Sequence, residues 1–400
     1  MLSKTDLRGL NMEICVLSIN YPTEKHHIHV FLDNLVRMFV DKGIKCNVIA
    51  PQSRYSYFAK KELRREFVSE RFTENGNKYK VYSPLYNVYP RNRVLGFSLS
   101  DLSKKSFYKA AKKVYIENSI HADVIYSHFL QAGIPAVMLA KDLNLPVFIA
   151  NGEADTISET KYISRKLIQE TLEGATGIIS VSTKCKEEIS ALCGGDERIM
   201  QKVTIIPNAA NSKRFYKMER HECRAELGIP DDYFVIAFTG SFIERKGIKK
   251  VENAVESVEG VYPIFIGEGP EMPKCRNILF CGKVKNEVLG KYLNAADVFV
   301  LPTLAEGCSN AVVEAVSCGL PIISSNRSFN WDVLDEACSI LIDPENQEEL
   351  NNAISLLRDD LNRRKELELG SIKRAEELSL QVRANRILDF IEKASNKRTS

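Results

Sequence analysis

The stretch Pro302-Thr303-Leu304-Ala305-Glu306-Gly307-Cys308-Ser309-Asn310-Ala311-Val312-Val313-Glu314-Ala315-Val316-Ser317-Cys318-Gly319-Leu320-Pro321 decides the fold. The residues before it, Asp297-Val298-Phe299-Val300-Leu301, are apolar and β-prone, and Pro302 bounds them. That pattern predicts a short buried parallel strand. Ser309 or Asn310 caps the helix that follows, and Gly319 with Pro321 ends it. Glu306 then lies in the loop at the carboxyl end of a strand. Glu314 lies about one turn into the helix, with seven residues between the two. A helix start in that place offers free N–H groups and a positive dipole end to a phosphate. One carboxylate on each side of an anion site suits a ligand with hydroxyls at both ends of a diphosphate, as in a nucleotide-sugar.

Outward from this stretch, strand and helix patterns alternate almost throughout. This argues an α/β fold with parallel sheets covered by helices on both faces. Strands are predicted over 13–19, 46–50, 123–126, 147–150, 177–181 and 203–206, then over 233–238, 264–266, 278–280 and 297–301. Helices are predicted over 30–41, 134–142, 158–172 and 183–191. The segment 207–216 is polar and aperiodic, and reads as a hinge. An amphipathic helix is predicted over 379–393. The expected organisation is a first domain over 1–207, joined by the helical end 379–400, and a second over 208–378. A chain of 400 residues exceeds one ordinary core and suits two domains.

Apolar residues make up 44% and charged residues 27%, as in a soluble globular protein. No apolar run reaches the length of a membrane span, and the first residues lack a signal-peptide core. Ten cysteines are scattered without C-x-x-C spacing, which points to reduced thiols in the cytoplasm. The net charge of +3 is unevenly spread. Residues 52–115 hold 15 Lys and Arg against 5 Asp and Glu, with 13 aromatics interleaved. A solvated helix face over core aromatics, an anionic membrane surface and a nucleic-acid groove each fit that pattern; the first two are preferred and nucleic acid is not expected. For a membrane face the candidates are Lys60, Lys61, Arg64 and Arg65, with 58–70 helical, and Lys104, Lys105, Lys109, Lys112 and Lys113 on a second helix.

The stretch 302–321 resembles the signature of retaining, nucleotide-sugar-dependent glycosyltransferases of family 4 ("group 1"), which have two facing Rossmann-like domains (the GT-B type). The resemblance is specific over about 232–321, moderate over 123–215 and weak before that. It implies that Glu306 faces the donor sugar, Glu314 accepts hydrogen bonds from the ribose, and the backbone of Gly307, Cys308, Ser309 and Asn310 wraps sugar and phosphates. Gly240-Ser241-Phe242-Ile243-Glu244-Arg245-Lys246-Gly247 has neither dinucleotide nor P-loop spacing. It is similar to the family's Gly-Arg…Lys-Gly segment, which holds the donor diphosphate. Lys246 matches; Ser241 stands where the family often has Arg, so Arg245 is the candidate second cation. A cation there stabilises a leaving diphosphate more in the transition state than in the ground state. Gly267-Glu268-Gly269-Pro270 resembles a turn beside the nucleotide, and Cys281-Gly282-Lys283-Val284 the segment whose backbone contacts the base.

In the first half, His128 resembles the histidine beside the reacting sugar, at a strand end where such a role fits. Asn151-Gly152-Glu153-Ala154-Asp155 resembles an acceptor-side loop, which makes Asp155 a candidate acceptor contact. Asn208-Ala209-Ala210-Asn211 resembles a hinge motif with two of its residues replaced. The loop Tyr21-Pro22-Thr23-Glu24-Lys25-His26-His27-Ile28-His29 lacks the Gly pair of many relatives. It reads as a solvated loop or an acceptor contact through His29, with a metal as the alternative. No metal or other cofactor is expected at the catalytic site. The implied partners are a nucleotide-sugar donor and a saccharide or lipid-linked saccharide acceptor, for surface polysaccharide synthesis in the cytoplasm or on the inner membrane face. The departing phosphate oxygen then assists deprotonation of the acceptor. The rival readings are a non-catalytic nucleotide- or sugar-binding protein and a nucleotide-sugar epimerase.

Overall fold

A computed structural model describes residues 12–23, 28–60, 64–94 and 97–399. The chain divides into two compact units. The first comprises residues 1–181, 185–205 and 384–400; the second comprises 182–184 and 206–383.

The sheet of the first unit has eight strands: β1 (Glu13–Ser18), β2 (Lys45–Ile49), β3 (Val68–Phe72), β4 (Lys78–Tyr82), β5 (Val124–His128), β6 (Val147–Asn151), β7 (Gly177–Ser180) and β8 (Val203–Ile205). Their order is β8-β7-β6-β5-β1-β2-β4-β3. All neighbours are parallel except the edge pair β3–β4. Every residue of β5, β6 and β7 is buried, as expected for a sheet covered on both faces. The final helix, Leu380–Thr399, belongs to this unit from Ala384 onward, and Phe390 packs edge-on against Phe148 of β6 at 5.7 Å.

The second unit has six parallel strands: β9 (Phe234–Thr239), β10 (Val261–Ile266), β11 (Phe280–Gly282), β12 (Val298–Leu301), β13 (Ile322–Ser325) and β14 (Ser339–Ile342). The order β11-β10-β9-β12-β13-β14 is the 3-2-1-4-5-6 order of the Rossmann fold. Its switch point falls between β9 and β12, and that of the first unit between β1 and β5. The segment read as a hinge is pinned within the second unit: Ala210 N–H donates to the Leu378 carbonyl, and Leu380 N–H donates to the Ala210 carbonyl, each at 3.0 Å.

Three expectations need correction. Residues 158–172 do not form one helix: Thr156–Thr160 and Arg165–Gly174 are separate, because Ser164 caps the second by accepting from Leu167 N–H. Residues 58–70 do not form one helix: a short helix ends at Ala59, residues 64–67 are irregular, and β3 begins at Val68. The basic set is also less exposed than its spacing suggests. Lys104 is buried on the helix Leu99–Glu117 and donates to Gln131 Oε1 at 2.9 Å. Arg65 turns inward onto the Pro51 carbonyl, Lys112 pairs with Asp142, and Lys113 pairs with Glu117. Lys60, Arg64, Lys105, Lys109 and Lys113 remain exposed; Lys61 lies outside the described residues.

Candidate functional site

In the second unit the residues of interest hang from the carboxyl ends of β9 to β12. The loop after β9 turns through a short 3-10 helix, Glu244–Lys246, and Gly247 follows at φ 74°. A Cβ on Gly247 would lie 2.4 Å from the Pro302 carbonyl oxygen, so a side chain there would drive the loops after β9 and β12 apart. The two loops are laced together. The Arg245 carbonyl accepts from Leu304 N–H at 2.8 Å and from the Thr303 hydroxyl at 3.1 Å. The Arg245 guanidinium donates to the Ala305 carbonyl.

This lacing brings Lys246 and Glu306 together as an ion pair beside the switch point. The Glu306 carboxylate also accepts from the Thr303 hydroxyl at 3.1 Å and lies 3.6 Å from Arg245 Nη1. Glu306 is buried and Lys246 nearly so. A buried carboxylate needs such partners, because desolvation is costly without them. Here two cations and a hydroxyl supply them.

The helix after this loop is Asn310–Ser317, and Ser309 caps it by accepting from Val312 N–H at 3.4 Å. Gly307, Cys308 and Ser309 are buried and Asn310 is exposed. Asn208 fixes the bend: its amide donates to the Cys308 carbonyl at 3.1 Å and to Asn310 Oδ1 at 3.0 Å. Glu314 lies one turn inside the helix. Burial pushes its carboxyl up to about 8, and among the described residues no donor sits on it. A desolvated carboxylate without a partner can accept two hydroxyl hydrogens at once.

The other expected donor-side residues are close to these loops in varying degree. Gly240 follows β9 directly and donates its N–H to the Ile266 carbonyl at 2.9 Å. Ser241 is exposed and Val284 half-buried in the segment after β11. Lys283 pairs with Glu268 at 2.5 Å, joining the two segments assigned to the nucleotide. Thr303 and the amide of Asn208 were not anticipated as supports. Asn208 stood in a motif read only as a hinge, and a lone threonine carries no sequence signal.

In the first unit, His128 and His29 come together at the other switch point. His128 ends β5, and His29 closes the loop after β1 in a left-handed conformation, φ 61°. Both rings pack on Phe129, at 4.6 Å and 5.0 Å between centroids. Burial lowers the His29 imidazole below its ordinary value, against a hydrogen bond to the Asn20 carbonyl that favours the charged form. Asp155 caps the helix Thr156–Thr160 by accepting from Ser158 N–H at 2.8 Å. Among the described residues, no three His, Cys, Asp or Glu side chains cluster as metal ligands, and no disulfide joins the cysteines. His26 and His27 lie outside the described residues.

Residues 233–360 match the sequence model of the family described as "Glycosyl transferases group 1". The putative teichuronic acid biosynthesis glycosyltransferase TuaC of Bacillus subtilis is 26% identical over 356 residues, 86% of this chain and 88% of the relative. The Escherichia coli UDP-Gal:alpha-D-GlcNAc-diphosphoundecaprenol alpha-1,3-galactosyltransferase is 25% identical over 284 residues, 64% of this chain and 70% of the relative. Among solved structures, Anabaena Alr3699/HepE in complex with UDP superposes with a TM-score of 0.69 at 14% identity, covering 96% of this chain and all of the other. With the Rossmann order of the second sheet, these likenesses support a group 1 glycosyltransferase of the GT-B fold.

Proposed function

We propose that this chain moves a hexose, with retention of anomeric configuration, from a nucleotide-sugar to a saccharide or lipid-linked saccharide during surface polysaccharide synthesis. The observation that carries the reading is the arrangement in the second unit. Lys246 and Arg245 converge on Glu306 at the switch point, and the Glu314 carboxylate, without a donor among the described residues, lies one helical turn beyond the same loop. Glu314 takes the ribose hydroxyls. Lys246, with Arg245 in place of an arginine at Ser241, stabilises the charge that grows on the leaving nucleoside diphosphate. Glu306, partly released from Lys246 when phosphates arrive, orients the sugar. The leaving phosphate oxygen accepts the acceptor's hydroxyl proton on the same face, so no protein nucleophile and no metal ion is assigned to the step. Gly240, Ser241, Val284 and the backbone from Gly307 to Asn310 surround the donor. His128 lies beside the reacting sugar, and His29 and Asp155 serve the acceptor.

A surface polysaccharide product and a lipid-diphosphate acceptor are drawn from the relatives named for teichuronic acid and for a diphosphoundecaprenol substrate. Among the described residues no helix is long and apolar enough to cross a membrane. The proposal places the protein in the cytoplasm, at the inner membrane face where such an acceptor resides. The test is a thermal-shift screen of the full chain against UDP-, GDP- and ADP-sugars, followed by transfer from the stabilising donor to tagged oligosaccharides. One donor is expected to raise the melting temperature, and proton NMR of the product to show the donor's own anomeric configuration. An inverted product would exclude retention. Stabilisation by no nucleotide-sugar would remove the donor site.

A further inference from the structure

We propose that Glu153 is a positioning residue for the transfer, clamping the turn that carries His128 and Phe129 to the loop 151–155. The inference rests on reading the first unit as the acceptor side, with His128 beside the reacting sugar.

The helix Leu130–Leu143 begins without help from its own N-cap residue, because Phe129 has no side-chain acceptor. Phe129 instead stands at φ 70° and ψ 145°, a conformation rarely adopted outside glycine. The missing acceptor comes from a different strand end. Glu153, seven per cent exposed, accepts from Leu130 N–H at 2.6 Å through Oε1 and from Gly152 N–H at 3.1 Å through Oε2. One carboxylate thus bridges the turn after β5 and the loop after β6. A Ser or Asp at position 129 would cap the helix more simply. What the longer route gains is an aromatic ring at position 129. Phe129 meets His128 at 4.6 Å and 73°, and His29 at 5.0 Å and 67°; Phe31 meets His128 at 5.0 Å. Aromatic faces beside ring nitrogens at the ends of β1 and β5 suit a pyranose, with apolar C–H faces and hydroxyl edges.

Lys104 from the helix Leu99–Glu117 feels the Glu153 charge and that of Glu159 on the helix Thr156–Thr160, and Cys185 from the helix Thr183–Cys193 lies with its thiol 3.7 Å from the Glu153 carbonyl. Burial raises the Glu153 carboxyl to about 7, so its charge changes near neutral pH. It also lowers Lys104 to about 8.

Glu153→Gln keeps one acceptor oxygen for Leu130 N–H but turns an NH2 toward Gly152 N–H. Glu153→Ala keeps neither. With the donor and acceptor that the screen above selects, Glu153→Ala in the full chain is expected to lose at least tenfold in kcat, and Glu153→Gln less. KM for the donor, which the second unit binds, should stay within twofold, and the acid limb of the kcat profile near pH 7 should flatten in Glu153→Gln. Spectra of the full chain with 13C-labelled histidine rings report independently of turnover. His128 and His29 should shift in Glu153→Gln, while His121 and His221 should not. Wild-type kcat and an unmoved His128 resonance in Glu153→Gln would overturn the proposal. If Glu153→Ala does not fold, Glu153→Gln alone decides. A wild-type chain that transfers no sugar removes the acceptor-side reading, and the role with it, whereas an unmoved His128 resonance removes the clamp itself.

Discussion

Glu314 and Glu306 differ in what surrounds them, and that difference separates their expected roles. Among the described residues Glu314 carries no partner, and burial pushes its carboxyl up to about 8. Two ribose hydroxyls would favour its charged form, each charged hydrogen bond contributing roughly 1.5–3 kcal/mol. Its folded-state pKa is raised, so below pH 8 the free protein holds a proton that the complex must release. Nucleoside diphosphate affinity should therefore fall by up to about tenfold between pH 8 and pH 7. Calorimetry in buffers of different ionisation enthalpy should register the released proton. Glu314→Gln should bind weakly at both pH values with no proton release; unchanged affinity in that variant would contradict the assignment. Glu306 is the counter-ion of Lys246 and Arg245. Glu306→Gln frees both cations, so nucleoside diphosphate affinity should hold or rise while turnover drops by about 100-fold. Loss of nucleotide binding in Glu306→Gln would show that the carboxylate serves the nucleotide rather than the sugar.

At the scale of elements, the site is a product of loops held at one sheet end. Gly247 lets the loop after β9 touch Pro302, and Ala in its place meets backbone at 2.4 Å with an unfavourable φ. Gly247→Ala should cost about 1–3 kcal/mol in unfolding free energy and lower donor affinity too, because Lys246 and Arg245 shift with their loop. Full donor affinity at reduced stability would mean that the loop tolerates the displacement. Ser241 is exposed on the same loop, where a longer cation can reach outward. Ser241→Arg should partly rescue turnover in Arg245→Ala if one charge can stand in for the other. Full turnover in Arg245→Ala would leave Lys246 as the sole clamp.

At the scale of the molecule, the first unit keeps exposed cations and aromatics together in sequence: Lys60, Arg64, Lys105 and Lys109, with Tyr55, Phe58, Phe67 and Phe97. Each Lys or Arg near an anionic bilayer contributes on the order of 1 kcal/mol, screened by salt. With Lys104 and Arg65 turned inward and Lys112 and Lys113 in ion pairs, four of the eight described candidate cations are left for such a surface. Co-sedimentation with anionic vesicles should be measurable at low salt and lost as salt rises. Lys60→Glu with Lys105→Glu should abolish it without changing turnover on a water-soluble acceptor. Equal partition into neutral vesicles would exclude the electrostatic reading and favour a soluble acceptor.

Strand and helix periodicity, the Ser309 cap and the Gly319 stop were legible in the sequence because they are local: backbone preference and burial pattern act over a few residues. The places of Glu306 and Glu314 relative to strand end and helix start follow from the same locality. β13 and β14 were not anticipated, since short apolar runs such as Ile322–Ser325 read equally as loop or strand until neighbours pair with them. Tertiary structure alone decided that Lys246 and Glu306, sixty residues apart, form an ion pair. It alone set the Asn208 amide on the Cys308 carbonyl and the Glu153 carboxylate under the helix start at Leu130. It also turned Lys104 inward, which spacing had placed on the surface. Partners distant in sequence meet only once the sheet order is set. The burial that raises Glu314 and Glu153 comes from side chains that no local pattern names.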